Sequence, residues 1–145
     1  MASPEIAVDT SVAHKWFSSD NEADVEEALR LLSAHRNGDV RLLAPASLPL
    51  ELMNDFRYSN LDTTDVLLVG RWLFALGIEL TALDEPLLES ATTMARGLGV
   101  TVYDAVFLAL ALDRGCPLVT ADRRAWSRMH EAGDVRLLGV DPLPL

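Results

Sequence analysis

The sequence is poor in three things: cysteine, lysine and long apolar runs. Cys116 is the only cysteine among 145 residues. No internal disulfide can form, which excludes the disulfide-stapled class of small secreted domains and makes a reducing cytoplasm the simplest compartment. No apolar run approaches the ~20 residues that a membrane-crossing helix needs. The opening stretch, through Ser11, has neither a basic segment nor a long apolar one, so no signal peptide and no membrane attachment are expected.

Positive charge is scarce as well. Lys15 is the only lysine, and twelve basic residues stand against twenty-two acidic ones, for a net charge of -10. A protein that grips nucleic acid by its phosphates usually carries a basic surface. Here either nucleic acid is not the ligand or a local patch holds it. Metal cations and basic partner segments are the other takers for such charge, and an acidic surface also simply favours solubility.

Apolar residues are plentiful. They make up 50% of the chain, enough for a core and against disorder. The length fits one domain, read here as residues 1–145. Strand-like and helix-like segments alternate along it. Glu5–Asp9 reads as a short buried strand, followed by a helix from Thr10 or Ser11 to Phe17. A second helix is expected over Glu22–Ala34, with Val25, Ala28, Leu29 and Leu32 on its apolar face. Arg41–Ala44 reads as a strand. Ser47 or Pro49 then opens a helix to about Tyr58, striped by Leu48, Leu52 and Phe56. Thr63 is placed as the cap of a helix over Thr64–Leu76, ended by Gly77. Ile78–Thr81 is a third strand, and Pro86 suits the first turn of the next helix. Ala105–Leu112 is apolar on every side, which marks a helix buried all round. Pro117–Thr120 and Val135–Leu138 complete the strands. This alternation implies an α/β fold with a parallel sheet and helices on both faces. Ligands in such folds bind beyond the carboxyl ends of the strands, where Asp9 and Asp122 stand on the first and fourth strands.

Four acidic residues occupy apolar or small-residue surroundings: Asp9, Glu51 in Pro49-Leu50-Glu51-Leu52-Met53, Asp104 at the start of the buried helix, and Asp122 after Val119-Thr120-Ala121. Each has a plain alternative. Asp9 and Asp122 would serve as helix caps, Asp104 would be stabilised by a helix N-terminus, and Glu51 would pair with an arginine such as Arg57. Together they say more. Carboxylates gathered at one end of a sheet resist ionisation, and a divalent cation relieves that. Mg²⁺ and Mn²⁺ prefer oxygen ligands, and an ion so held can activate water and neutralise charge on a phosphodiester.

The segments Val8-Asp9-Thr10-Ser11-Val12, Glu51-Leu52-Met53-Asn54, Tyr103-Asp104-Ala105-Val106-Phe107-Leu108-Ala109-Leu110-Ala111 and Leu118-Val119-Thr120-Ala121-Asp122 resemble, in order, the signature blocks of PIN-domain nucleases. More narrowly they look like those of VapC toxins from toxin–antitoxin pairs. The resemblance implies a three-layer α/β/α sandwich around a central parallel sheet of four to five strands. It implies a ribonuclease whose acidic quartet, Asp9, Glu51, Asp104 and Asp122, binds Mg²⁺ or Mn²⁺, with Asp9 and Asp104 tied most directly to the metal. Thr10, Ser11, Asn54 and Thr120 match the polar residues that orient those carboxylates. A VapB-type antitoxin whose C-terminal segment wraps the toxin is the implied partner.

Other residues are ambiguous. Arg123, Arg124 and Arg128 would form the missing basic patch or a solvated helix face, and Lys15 would touch substrate. Leu67, Val69, Trp72, Leu73 and Leu76 offer more apolar surface than a core needs, which suggests a homodimer or antitoxin contact. His14, His35 and His130 lack metal-ligand spacing and read as surface residues, and Cys116 reads as inert. A phosphotransfer receiver is disfavoured because Asp9 stands alone and no lysine follows near the last strand. A haloacid-dehalogenase-type phosphatase would want a second aspartate where Ser11 stands. A silent RNA-binding scaffold would be expected to have lost acidic residues.

Overall fold

The computed structural model describes residues 2–18 and 24–145. Along them run β1 (Glu5–Val8), α1 (Thr10–Phe17), α2 (Val25–Arg36), β2 (Arg41–Pro45), α3 (Leu48–Phe56), α4 (Thr63–Ala75), β3 (Glu79–Thr81), α5 (Glu85–Leu98), α6 (Val102–Arg114), β4 (Leu118–Thr120), α7 (Arg123–Met129) and β5 (Val135–Leu137). The strands form one parallel sheet in the order β3-β2-β1-β4-β5. Ile6 pairs with Leu42 on one side of β1, and Val8 with Val119 on the other.

From β1 the chain steps outward to β2 and β3, then returns past β1 to β4 and β5. Right-handed crossovers therefore place α1 to α4 on one face and α5 to α7 on the other, giving the expected three-layer α/β/α sandwich. The neighbours β1 and β4 send their connections to opposite faces. Their carboxyl ends thus flank a topological switch point, the place where a parallel sheet opens a crevice.

The core follows from the apolar pattern. Ile6, Ala7 and Val8 of β1 are buried, as is every residue from Ala105 to Ala111 of α6. That helix lies against β1, β2 and β4 and is covered by α5, which accounts for its apolar circumference. On the other face the Leu48, Leu52 and Phe56 stripe of α3 is buried as expected. At the opposite edge of the sheet from the crevice, Arg114 at the end of α6 joins Glu5 of β1 and Glu79 of β3, while Arg41 of β2 also holds Glu5.

Some expectations need correcting. The face of α2 turned inward is Ala28, Leu31 and Ala34, and Leu29 is exposed. On that side Trp16 of α1 donates its Nε1–H to the Ala28 carbonyl at 2.8 Å. The expected start at Glu22 lies outside the described residues. α4 is capped by Asp62, not Thr63, because the Asp62 carboxylate accepts from the Asp65 amide; a side-chain oxygen three residues ahead of an orphan amide is the stronger cap. His35 is no surface residue. Its Nδ1 accepts from the Leu42 amide at 3.1 Å and its Nε2 lies 2.8 Å from the Leu76 carbonyl, so Nε2 is the donor. The ring satisfies backbone groups at the entry to β2 and the exit of α4. His14 is half-buried, its ring stacked on Phe56. His130 is exposed, beside Trp126.

Candidate active site

The crevice beyond Val8 and Thr120 is where the sequence-marked carboxylates arrive. Asp9 directly follows β1, and although it stands at the N-cap position of α1 its side chain makes no capping bond. The next two residues explain why. Ser11 Oγ donates to Asp9 Oδ2 at 2.7 Å, and Thr120 Oγ1, at the end of β4, donates to the same oxygen at 2.9 Å. Both hydroxyls are themselves held, since the Ala121 amide donates to Ser11 Oγ and the Asp122 amide to Thr120 Oγ1. The neighbouring strands are thus laced together around one carboxylate. Asp9 is only 8% exposed and Thr120 fully buried. Burial pushes the Asp9 carboxyl up, the two hydroxyls oppose that, and the charge of Asp104 adds to it.

Glu51 enters from α3 on the other side. Thr10 Oγ1 donates to its Oε2 at 2.8 Å, while Oε1 is buried without a hydrogen-bond partner. Burial is the main reason its pKa is pushed up to about 7, reinforced by the charges of Asp9, Asp104 and Asp55 and opposed by the Thr10 hydroxyl. Asp104 sits in the first turn of α6. Burial raises its pKa, the charge of Asp122 raises it further, and a hydrogen bond with Thr101 opposes both. Asp122 realises the plain alternative weighed for it. It caps α7, its Oδ1 accepting from the Arg124 and Ala125 amides at 2.9 and 3.1 Å.

The four carboxylates are therefore near enough to disturb one another's ionisation, in the sequence Glu51, Asp9, Asp104, Asp122. As placed, however, no three His, Cys, Asp or Glu side chains among the described residues converge on one metal position. The donor set still suits a hard divalent cation. It is all oxygen, its members resist ionisation in each other's company, and a buried carboxylate oxygen without a hydrogen-bond donor calls for a positive partner.

Of the remaining expected residues, Thr10, Ser11 and Thr120 touch the carboxylates directly, whereas Asn54 is exposed and makes no side-chain bond to them. Arg123, Arg124 and Arg128 are exposed on α7, with the Arg128 guanidinium against Gly99 at the corner between α5 and α6. Lys15 lies in the last turn of α1. Two residues were overlooked. Thr101 caps α6 by accepting from the Asp104 amide at 3.0 Å, and the Thr-x-x-Asp spacing of a capping box would have revealed it. Asp55 lies one helical turn beyond Glu51 and its charge reaches that carboxylate; the i, i+4 spacing was its signal.

An open parallel sheet with acidic residues at its switch point defines a class, the α/β/α domains that work from the carboxyl edge of the sheet. The family follows from the sequence profile of the PIN domain, which matches residues 6–132: the chain belongs to the PIN domain family. No curated protein matches it by sequence. Solved structures share its fold at low identity. A toxin–antitoxin complex from Klebsiella pneumoniae superposes with a TM-score of 0.65 at 15% identity, over 90% of this chain and 95% of that one. FitAcB from Neisseria gonorrhoeae gives 0.62 at 20%, over 90% and 95%. VapC20 of Mycobacterium tuberculosis, described as a sarcin-ricin loop cleaving toxin, gives 0.66 at 15%, over 84% and 93%.

Proposed function

We propose that this chain is a metal-dependent endoribonuclease of the VapC kind, the toxin of a toxin–antitoxin pair. The observation that carries the reading is the pairing of Asp9, immobilised by two hydroxyls, with Glu51, whose Oε1 is buried and unpartnered. Such an oxygen at the switch point of a PIN fold supports binding of a cation there. Asp9, Glu51 and Asp104 would hold Mg²⁺ or Mn²⁺, with Asp122 completing the set through the oxygen that does not cap α7. Bound there, the ion would activate water and offset the charge of a phosphodiester.

The protein's own residues do the rest. Ser11 and Thr120 fix the direction of the Asp9 carboxylate, and Thr10 fixes that of Glu51. A bound cation would offset the mutual repulsion that raises the pKa values of Asp9, Glu51 and Asp104. Arg123, Arg124 and Arg128, exposed on α7 after Asp122, gather three positive charges on one short helix of an acidic protein and would position RNA phosphates. Retention of all four acidic residues favours an enzyme over a silent scaffold. The superposed structures include toxins in complex with antitoxins, which supports a partner of that type, and a net charge of -10 suits a basic antitoxin segment.

The test is cleavage of RNA by the purified protein with Mn²⁺ added. Cleavage should disappear with chelator and in Asp9→Asn and Asp104→Asn, both of which should keep the fold as judged by circular dichroism. Induced expression should arrest growth, and the Asp104→Asn variant should not. Full activity in either variant would sink the assignment.

A further inference from the structure

We propose that the recess between α1 and the end of α3 is a nucleobase subsite, seating one base of single-stranded RNA beside the scissile phosphate. The inference rests on the ribonuclease reading and adds to it a place where sequence is read. The recess has a volume of about 210 Å³ and is lined by His14, Phe17, Phe56, Tyr58, Asn60 and Leu61 among others. Drug-sized ligands occupy pockets of roughly 300–1,000 Å³, so this one has room for a single ring system.

Its walls suit a flat aromatic guest. The His14 and Phe56 rings stack with centroids 4.5 Å apart and planes 9° from parallel. Phe56 is only 4% exposed, so the core holds it still and it holds the imidazole flat. Tyr58 is 87% exposed, with the Arg57 guanidinium 4.6 Å from its ring centroid. A tyrosine left this open, steadied by an arginine, is the kind of platform on which a base stacks. Polar recognition falls to Asn60. The Ser59 hydroxyl is already committed to the Phe56 carbonyl, whereas the exposed Asn60 amide offers one acceptor and two donors to a base edge.

The recess also adjoins the carboxylates. Glu51 and Phe56 are five residues apart on one helix, roughly 7.5 Å along its axis. Asp55 links the two places, since its charge reaches Glu51 while His14 and Arg57 act on Asp55. Arg57 brings positive charge to the mouth of the recess, so a nucleotide seated there would find a cation for its phosphate on an otherwise acidic protein.

The experiment is digestion of a random-sequence single-stranded RNA pool with Mn²⁺, followed by sequencing of the ends. The wild-type protein should show a base preference at one position flanking the cut. Tyr58→Ala and His14→Ala should erase the preference at that position and lower kcat/KM by about 5- to 150-fold, the range expected for losing one stacked base, mainly through KM. Tyr58→Phe, which keeps the stacking face, should retain both. If the wild-type protein cleaves and the alanine variants keep its preference and rate, the subsite proposal is wrong and the ribonuclease reading stands. Variants that weaken only antitoxin binding would overturn it in favour of a peptide in the recess. If the wild-type protein cleaves no RNA, the ribonuclease reading fails and takes the subsite with it.

Discussion

Glu51 gives one oxygen to Thr10, whose hydroxyl donates to Oε2 at 2.8 Å, and keeps the other buried with nothing to meet it. This half-satisfied carboxylate predicts how stability varies with pH. Its pKa is about 7 in the folded chain, against about 4.3 when unfolded. Between those values the native state holds the extra proton, so stability falls as pH rises through this window and levels off above it. Asp9 and Asp104, also raised, pull the same way. Glu51→Gln should remove the part of the slope nearest neutrality and raise the melting temperature there. Added Mn²⁺, which favours the carboxylate, should stabilise the wild-type protein more at about pH 8 than at about pH 5 and help Glu51→Gln much less. Thermal melts with and without metal decide this; a metal shift of equal size in both proteins would refute it.

Asp122 caps α7, and under the proposed function it would also serve a cation; two substitutions separate the two roles. Its Oδ1 caps α7, a role asparagine can fill and alanine cannot. Asp122→Ala should cost about 1 kcal/mol of stability along with activity. Asp122→Asn should fold normally yet lose most cleavage, because the amide brings no charge to a cation. Equal activity in wild type and Asp122→Asn would reduce Asp122 to a cap.

Thr120 joins the strands at the crevice by donating to Asp9 Oδ2 while accepting from the Asp122 amide. Thr120→Val keeps the shape and removes the hydroxyl. It leaves a buried carboxylate short of a donor and a backbone amide without an acceptor, at a cost of about 1–3 kcal/mol. Cleavage should fall further than stability alone explains, since Asp9 loses one of its two anchors. Thr120→Ser should recover most of both. Chemical denaturation alongside RNA cleavage measures the split, and an active, fully stable valine variant would contradict it.

Much of this architecture was legible in the sequence because local pattern and global fold agree. The unbroken apolar run of α6 reads as a helix inside the sandwich, and Asp9 and Asp122 stand at strand ends in the sequence pattern itself. What could not be read was contact between distant segments. Nothing local says that Ser11 and Thr120 converge on one oxygen, or that His14 lies on Phe56. The rotation of α2 sets Ala28, Leu31 and Ala34 inward against the rest of the chain, a tertiary choice that the spacing of its own apolar residues does not encode. Asn54 was expected near the carboxylates, yet it faces solvent. Asp55, at the i+4 position from Glu51 and so nearer its face of the helix, is the residue whose charge reaches it.

The outer face of α4 carries the last prediction. Leu67 and Phe74 are 56% and 65% exposed and seven residues apart, two turns along one stripe. Apolar side chains so placed add nothing to the fold beneath, where Val69 and Leu73 are buried; under the proposed function such a stripe would seat a second copy of the chain or the antitoxin, and a second copy is the expected occupant. Replacing both with glutamate should alter the stability of one copy by no more than about 0.5 kcal/mol each, as for other surface changes, while abolishing self-association. Analytical ultracentrifugation of the wild-type protein and of Leu67→Glu/Phe74→Glu tests this directly. A monomeric wild type would remove the homodimer, and a dimeric variant would move the contact elsewhere. Antitoxin capture by a monomeric variant would reserve the stripe for self-association, because a face shared with the antitoxin could not lose one partner and keep the other.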